Sequence, residues 1–75
     1  MDLDGKISLI TGAGQGIGEG IAKVLAAHGS KVVLVDLNGD AAQKVSDQIN
    51  SNIPDAAISF QANLTDETAI AAMIE

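Results

Sequence analysis

The feature that most constrains this chain is a cluster of glycines between two segments of different periodicity. Residues 11–18 have the sequence Thr-Gly-Ala-Gly-Gln-Gly-Ile-Gly. The apolar residues of Lys6–Thr11, which precede the cluster, predict a short strand. After the cluster the apolar residues follow a helical spacing, on Ile17, Ile21, Val24, Leu25 and His28, until Gly29 ends the helix. The cluster is therefore predicted to join a strand directly to a helix.

The rest of the chain continues the alternation of strands and helices. Lys31–Val35 contains Val-Val-Leu-Val without polar alternation, which is typical of a strand covered on both faces, and Asp36 closes it. Asn38 or Asp40 is expected to cap a second helix. The apolar face of that helix consists of Ala41, Ala42, Val45 and Ile49, before residues 50–54 break the pattern. Ala57–Ala62 predicts a third strand.

The end of the chain indicates a third helix that is not completed. Thr65 is a suitable N-cap, and Ile70, Met73 and Ile74 would share one helical face. The order of elements predicts an α/β fold of Rossmann type, a βαβαβ half-unit with three parallel strands in the order 3-2-1, truncated within the third helix. We expect residues 1–75 to form a single, incomplete domain. Its first strand would be an open edge that something should cover.

A glycine-rich turn between a strand and a helix suits the binding of a pyrophosphate. The first N–H groups of a helix have no partner within the helix, and the helix dipole is positive at that end. Gly12 would allow the tight turn, Gly16 the close approach of the pyrophosphate, and Gly18 the packing of the helix on the sheet. Gly14 adds flexibility without a separate role. A glycine turn with a purely structural purpose is the alternative interpretation.

The glycine spacing distinguishes this turn from two commoner phosphate-binding motifs. Neither G-x-G-x-x-G nor G-x-x-x-x-G-K-[ST] occurs in the region, and the pattern present is T-G-x-x-x-G-x-G. Together with the preceding Leu3-Asp4-Gly5-Lys6, this pattern resembles the cofactor fingerprint of the short-chain dehydrogenase/reductase family. The resemblance covers essentially the whole chain. It implies that residues 1–75 are the N-terminal part of a dinucleotide-binding Rossmann domain.

Asp36 indicates which dinucleotide is bound. It ends the second strand 18 residues after Gly18, close to the roughly 20-residue offset at which an acid accepts hydrogen bonds from the adenosine ribose. A 2′-phosphate would face this carboxylate, so the position favours NAD over NADP. NADP-dependent relatives often carry arginine at position 15 or just after the second strand, where this chain has Gln15 and Leu37. A turn residue or helix-capping acid is the alternative role for Asp36.

Asn63-Leu64 follows the third strand, where the resembled family usually has an aspartate that accepts a hydrogen bond from the adenine amine. The amide oxygen of Asn63 could accept the same bond without charge, or Asn63 could be a plain turn residue. We predict no catalytic and no metal-binding residue. The candidate cofactor-binding residues are Gly12, Gly14, Gln15, Gly16, Ile17, Gly18, Asp36, Leu37, Asn63 and Leu64.

The resemblance also implies an activity and a deficiency. Members of the family transfer hydride between NAD(H) and an alcohol or ketone, using a tyrosine and a lysine four residues later, with an assisting serine. This chain has no tyrosine, so we expect the complete protein to be the enzyme and these 75 residues alone to be inactive. The sequence of the glycine cluster is most similar to those of diketone or alcohol dehydrogenases and of 3-oxoacyl reductases. The family implies a homo-oligomer, a dimer or tetramer, for the complete protein.

Composition argues against several other classes of function. The net charge is −6, arginine is absent and the four lysines are scattered, which disfavours nucleic acid as a partner. The apolar runs are far shorter than the roughly 20 residues that cross a membrane, and no secretory signal is visible, so a cytoplasmic location is expected. Two readings stay open besides the enzyme fragment: a free-standing nucleotide-binding or interaction module, and a truncated product that folds poorly.

Overall fold

The computed structural model describes residues 3–14, 16–62 and 71–74. In chain order the elements are β1 (Ile7–Thr11), α1 (Gly16–Ala27), β2 (Lys31–Asp36), α2 (Gly39–Asn52), β3 (Ala57–Gln61) and β4 (Ala71–Ile74). The four strands form one sheet in the order β3-β2-β1-β4. The α/β half-unit predicted from the sequence is therefore confirmed for its first five elements.

The first three strands are parallel and in the predicted order. Thr11 of β1 lies beside Val35 of β2, and Asp36 of β2 lies beside Gln61 of β3. Parallel pairing brings the carboxyl ends of all three strands to the same edge of the sheet. The glycine turn, which follows Thr11, and Asp36 consequently lie at that edge, as the sequence predicted.

Both helices pack over one face of the sheet. On that face the side chains of Ile10, Val32 and Leu34 are buried, with Ile10 and Leu34 at 0% exposure. They form one apolar cluster with residues of both helices, namely Ala22, Ala26, Ala42, Val45 and Ile49. Burial of this face provides the main driving force for folding, since apolar surface contributes roughly 25 cal/mol for each Å² removed from water.

The opposite face of the sheet is apolar and exposed. Ile7, Leu9, Ile58 and Phe60 point to this side, and Ile58 and Phe60 are 54% and 55% exposed. Val33 and Val35, between them on β2, are only partly buried. Within the described residues, helices cover one face of β2 and not both, so the prediction of a strand covered on both sides is not met there.

The chain differs from the prediction at residues 71–74. Met73 and Ile74 were expected on the face of a third helix, whereas Ala71–Ile74 forms β4, antiparallel to β1, with Ile74 beside Ile7. The open edge of β1 presents backbone N–H and C=O groups, and pairing with them outweighs the helical pattern of so short a segment. The expected cover of this edge is thus a strand. Thr65 and Ile70, the rest of the predicted helix, lie outside the described residues.

Two asparagines define the ends of α2. Of the two predicted caps, Asn38 is the one used, because its side-chain oxygen accepts from the N–H of Ala41 at 3.1 Å. At the other end, α2 continues to Asn52, past the predicted break at residue 50. Asn50 does not interrupt the helix because its amide points to β3, where it donates to the carbonyl of Ala57 and accepts from the N–H of Ala57.

No helix of the described residues is long and apolar enough to span a bilayer.

Candidate functional site

The glycine turn leaves β1 and becomes the first turn of α1. Gly12 and Gly16 have φ angles of 67° and 61°, in the left-handed region that side chains other than glycine rarely adopt. Gly12 thus makes the tight turn expected of it. A Cβ atom built on Gly16 would meet no atom of residues 3–14, 16–62 and 71–74 within 4 Å, so these residues leave open space beside the start of α1.

Gly18 allows a close contact inside the site. It is buried, and a Cβ atom there would overlap the carbonyl oxygen of Gly12 and lie 2.8 Å from the carbonyl carbon of the same residue. Real Cβ atoms essentially never come this close to backbone. The first turn of α1 is therefore packed directly on the turn that leaves β1, and a side chain at position 18 would push the two apart.

Gly14 has a role that the sequence did not indicate. A Cβ atom on it would lie 2.7 Å from Cβ of Ala41 and 3.1 Å from the backbone nitrogen of Ala42, both in the first turn of α2. The glycine turn is therefore packed on the N-terminus of the second helix. No spacing rule connects residues 14 and 41, because their contact depends on how α2 returns over the sheet.

Asp36 connects the glycine turn with α2. One of its carboxylate oxygens, Oδ2, accepts from the N–H of Gly14 at 2.7 Å, and the other, Oδ1, accepts from the N–H of Asn38 at 2.9 Å. The second bond is the turn-stabilising contact that the alternative interpretation of Asp36 expected. The first bond reaches across to the predicted phosphate-binding turn, 22 residues away in sequence. The negative charge also lies close to the N-terminus of α2, where the helix dipole favours it.

This arrangement fits the phosphates of a dinucleotide. Gly12 and Gly16, near the start of the 12-residue helix α1, have no side chain of their own to cover the backbone. The described residues leave the space beside Gly16 open. The leading N–H groups of a helix are not used within the helix and favour an anion. Ile17, also a predicted contact, is 76% exposed at this position.

Of the remaining predicted cofactor-binding residues, the structure describes Leu37 but not Gln15, Asn63 or Leu64. Leu37 is 62% exposed, and its carbonyl accepts from Nε2 of Gln61 at 3.1 Å, which links the end of β2 with the end of β3. The structure thus places all seven of the predicted residues that it describes at one edge of the sheet, namely Gly12, Gly14, Gly16, Ile17, Gly18, Asp36 and Leu37.

Three polar side chains, those of Ser8, Ser30 and His28, lie away from this edge. Ser8 and Ser30 are buried and share a hydrogen bond of 2.6 Å between their hydroxyls, which is a contact within the core. His28 follows the C-terminal end of α1, at the opposite end of the helix from the glycine turn. Within residues 3–14, 16–62 and 71–74, no group of three His, Cys, Asp or Glu side chains could hold a metal ion.

The chain is similar in sequence to one protein family and to individual members of known activity. The family profile described as short chain dehydrogenase matches residues 6–75. Versicolorin reductase from Emericella nidulans is 49% identical over 74 residues, which are 97% of this chain and 28% of the relative. The 3-oxoacyl-[acyl-carrier-protein] reductase of Escherichia coli is 39% identical over 75 residues, which are 100% of this chain and 29% of the relative. This chain therefore spans less than a third of the length of these relatives.

A solved structure agrees with these relatives in fold and in sequence. The 3-ketoacyl-(acyl-carrier-protein) reductase from Brucella melitensis, crystallised with NADH, matches with a TM-score of 0.75 and 47% identity. The match covers 83% of this chain and 24% of that protein. At 47% identity, the two proteins are similar in sequence as well as in fold.

Proposed function

Because the chain belongs to the short-chain dehydrogenase family, we propose that it is the NAD-binding part of an oxidoreductase. The enzyme would transfer hydride between NAD(H) and an alcohol or ketone. The residues proposed to contact the cofactor are Gly12, Gly14, Gln15, Gly16, Ile17, Gly18, Asp36, Leu37, Asn63 and Leu64.

One observation carries the proposal. The carboxylate of Asp36 is hydrogen-bonded to Gly14 within the glycine turn, at 2.7 Å from its backbone nitrogen. A dinucleotide whose pyrophosphate lies on the first turn of α1 would have a ribose beside its phosphates. An acid fixed against the same turn is therefore in reach of ribose hydroxyls, which donate hydrogen bonds to carboxylates.

Charge supports NAD over NADP. The 2′-phosphate of NADP would approach the Asp36 carboxylate, and two like charges about 4 Å apart repel by about 4 kcal/mol at an effective dielectric of 20. Water and salt reduce this value because Asp36 is only partly buried. The chain has no arginine to compensate for a second phosphate. If about 1.4 kcal/mol of the repulsion is left after screening, the affinity for NAD is expected to exceed that for NADP roughly tenfold.

The chain's own residues would bind and orient the cofactor, and NAD(H) would supply or accept the hydride. Gly16 would let the backbone come close to the pyrophosphate, Gly12 would make the tight turn and Gly18 would allow the helix to pack, while Asp36 would orient the adenosine ribose. No tyrosine is present to exchange a proton with a substrate oxygen, so we propose that these 75 residues alone are inactive. A cytoplasmic location and a homo-oligomeric complete protein are part of the same proposal.

The relatives suggest a class of substrate. Their names describe reductases acting on versicolorin and on 3-oxoacyl groups carried by a protein. Both names are consistent with a carbonyl group as the hydride acceptor. A ketone or the corresponding alcohol is accordingly the proposed substrate class of the complete enzyme.

Binding of NAD and NADP to the 75-residue chain tests this proposal. Dissociation constants are measured by calorimetric titration for the unmodified chain, for Asp36→Ala and for the control Asp40→Ala. Asp40 is an exposed acid in the first turn of α2, so its removal changes the local charge equally without touching the glycine turn. We expect a preference for NAD that Asp36→Ala removes and Asp40→Ala keeps. Binding of neither dinucleotide, or an unchanged preference in Asp36→Ala, would contradict the proposal.

A further inference from the structure

Gly14 lies where three parts of the fold meet. Its N–H donates to Asp36 at the end of β2, and its Cα faces the first turn of α2. A Cβ atom at this position would be 2.8 Å from Oδ2 of Asp36 and 2.7 Å from Cβ of Ala41. The backbone of the glycine turn thus fills the space between the acid and the helix.

These contacts mean that a side chain at position 14 would require neighbouring atoms to shift. Unlike Gly12 and Gly16, Gly14 does not have a positive φ angle, so its φ angle does not by itself require glycine. Ala41 is fixed by its helix and cannot move away easily. A methyl group at position 14 would therefore displace the carboxylate of Asp36 or separate the glycine turn from α2.

The carboxylate of Asp36 is held at both oxygens and still has acceptor capacity. Oδ2 accepts from Gly14 and Oδ1 from Asn38, and both donors are backbone groups. Backbone donors have no rotamers of their own, so they restrict the side-chain torsions of Asp36. A carboxylate can accept about four hydrogen bonds, so two of its acceptor positions are left for other donors.

We propose that Gly14 is a positioning residue that sets the choice of cofactor by holding the Asp36 carboxylate toward the ribose. This inference rests on the proposed function and goes beyond it, because it assigns the discrimination to the geometry between two residues and not to the charge of Asp36 alone. Gly12, Gly16 and Gly18 shape the turn proposed to bind the phosphates, which NAD and NADP share. Gly14 acts on the ribose end, where the two cofactors differ.

The first test compares Gly14→Ala with the matched variant Gly20→Ala. Among the described residues, a Cβ atom on Gly20 would meet nothing within 4 Å, so this control adds the same methyl group without a contact to them. We expect Gly14→Ala to lower the NAD-over-NADP affinity ratio by about tenfold, the effect of losing one hydrogen bond to a charged group. Gly20→Ala should keep the ratio. Equal losses of affinity for both dinucleotides in Gly14→Ala would overturn the proposal.

A double-mutant cycle shows whether Gly14 acts through Asp36. In the Asp36→Ala background, Gly14→Ala should leave the affinity ratio unchanged, since the carboxylate that it displaces is absent. A further change of the ratio in that background would contradict the assignment of Gly14 as a positioning residue.

A second variant keeps the test independent of the folding of Gly14→Ala. Asp36→Glu retains the negative charge but moves the carboxylate by one methylene group. If position matters, this variant should lose about tenfold in the affinity ratio, as Gly14→Ala does. An unchanged ratio in Asp36→Glu would show that charge alone discriminates and would overturn the proposal.

The contact itself can be measured without any dinucleotide. The amide proton of Gly14 should move upfield in the NMR spectrum of Asp36→Ala, because it loses a charged acceptor, while the amide of Gly20 should not move. An unmoved Gly14 signal would refute the positioning contact. This readout separates the two proposals: failure of NAD binding with an intact contact contradicts the proposed function only.

Discussion

The two faces of the sheet are made from alternate residues of the same strands, yet they have different surroundings. Ile10 and Leu34 face α1 and α2 and are fully buried, whereas Ile58 and Phe60 on the opposite face are more than half exposed. All four are large apolar residues in strands. The difference shows that the sequence of a strand indicates which of its positions are apolar. Which face of the sheet is covered depends on the side over which the helices pack.

The candidate site belongs to the covered side. Because α1 and α2 each follow the carboxyl end of a parallel strand, their N-termini both lie at that edge of the sheet. Both helices also pack over the same face, so Gly14 and Ala41 come into contact there. The opposite face contributes none of the contacts described for Asp36 or for the four glycines of the turn. Mutations on the two faces should therefore differ in their effects on both stability and cofactor binding.

The largest difference is expected from truncation of an equivalent residue on each face. Ile10→Ala should destabilise the chain by about 2–5 kcal/mol, because it removes apolar contacts and leaves a cavity under both helices. Ile58→Ala should cost about 0.5 kcal/mol or less. Urea denaturation followed by circular dichroism measures both. If Ile10→Ala is unfolded without urea, Ile10→Val should show about 0.5–1.5 kcal/mol. Equal losses at the two positions would contradict the comparison.

Prediction from sequence succeeded where the decisive interactions are local. The glycine turn, a helix cap at Asn38 or Asp40 and the carboxyl-end position of Asp36 all follow from short patterns. The structure at Met73 and Ile74 could not be predicted in this way, because four residues with helical spacing also pair well with an open strand edge. The role of Gly14 was missed for a similar reason, since its contacts with Ala41 and Asp36 exist only after the chain has folded.

The next effect concerns the link between α2 and β3. Asn50→Ala should cost about 1–3 kcal/mol, because it leaves the N–H and the carbonyl of Ala57 without their amide partner. Asn52→Ala is the matched control, since the side-chain contact of Asn52 within the described residues is a 3.4 Å one to the carbonyl of Gln48 on the same helix. Thermal unfolding followed by circular dichroism compares the two. Similar midpoints for both variants would show that the amide link to β3 does not stabilise the fold.

A smaller effect is expected at the start of α2. Asn38→Ala removes the side-chain oxygen that accepts from Ala41 and should cost about 1 kcal/mol. Asn38→Ser keeps an oxygen that can cap the helix and should lose much less. Because the N–H of Asn38 also donates to Asp36, the amide shift of residue 38 reports whether that contact persists in each variant. A loss in Asn38→Ser as large as in Asn38→Ala would show that the cap oxygen is not the stabilising group.

The smallest effect is expected on the exposed face, and it is the most informative about what covers that face. Threonine keeps the β-branched shape that strands favour, so Ile58→Thr should change the free energy of unfolding by less than about 0.5 kcal/mol. A threonine in the core should be more costly. Val45→Thr should destabilise the chain by about 1–3 kcal/mol, because Val45 is 2% exposed and the new hydroxyl has to be buried. Denaturation at two protein concentrations distinguishes the possibilities. A cost at position 58 similar to that at position 45, and growing with concentration, would show that a second copy of the chain buries this face. A cost similar to that at position 45 without concentration dependence would place Ile58 in the interior of the folded chain, against the exposure that distinguishes the two faces.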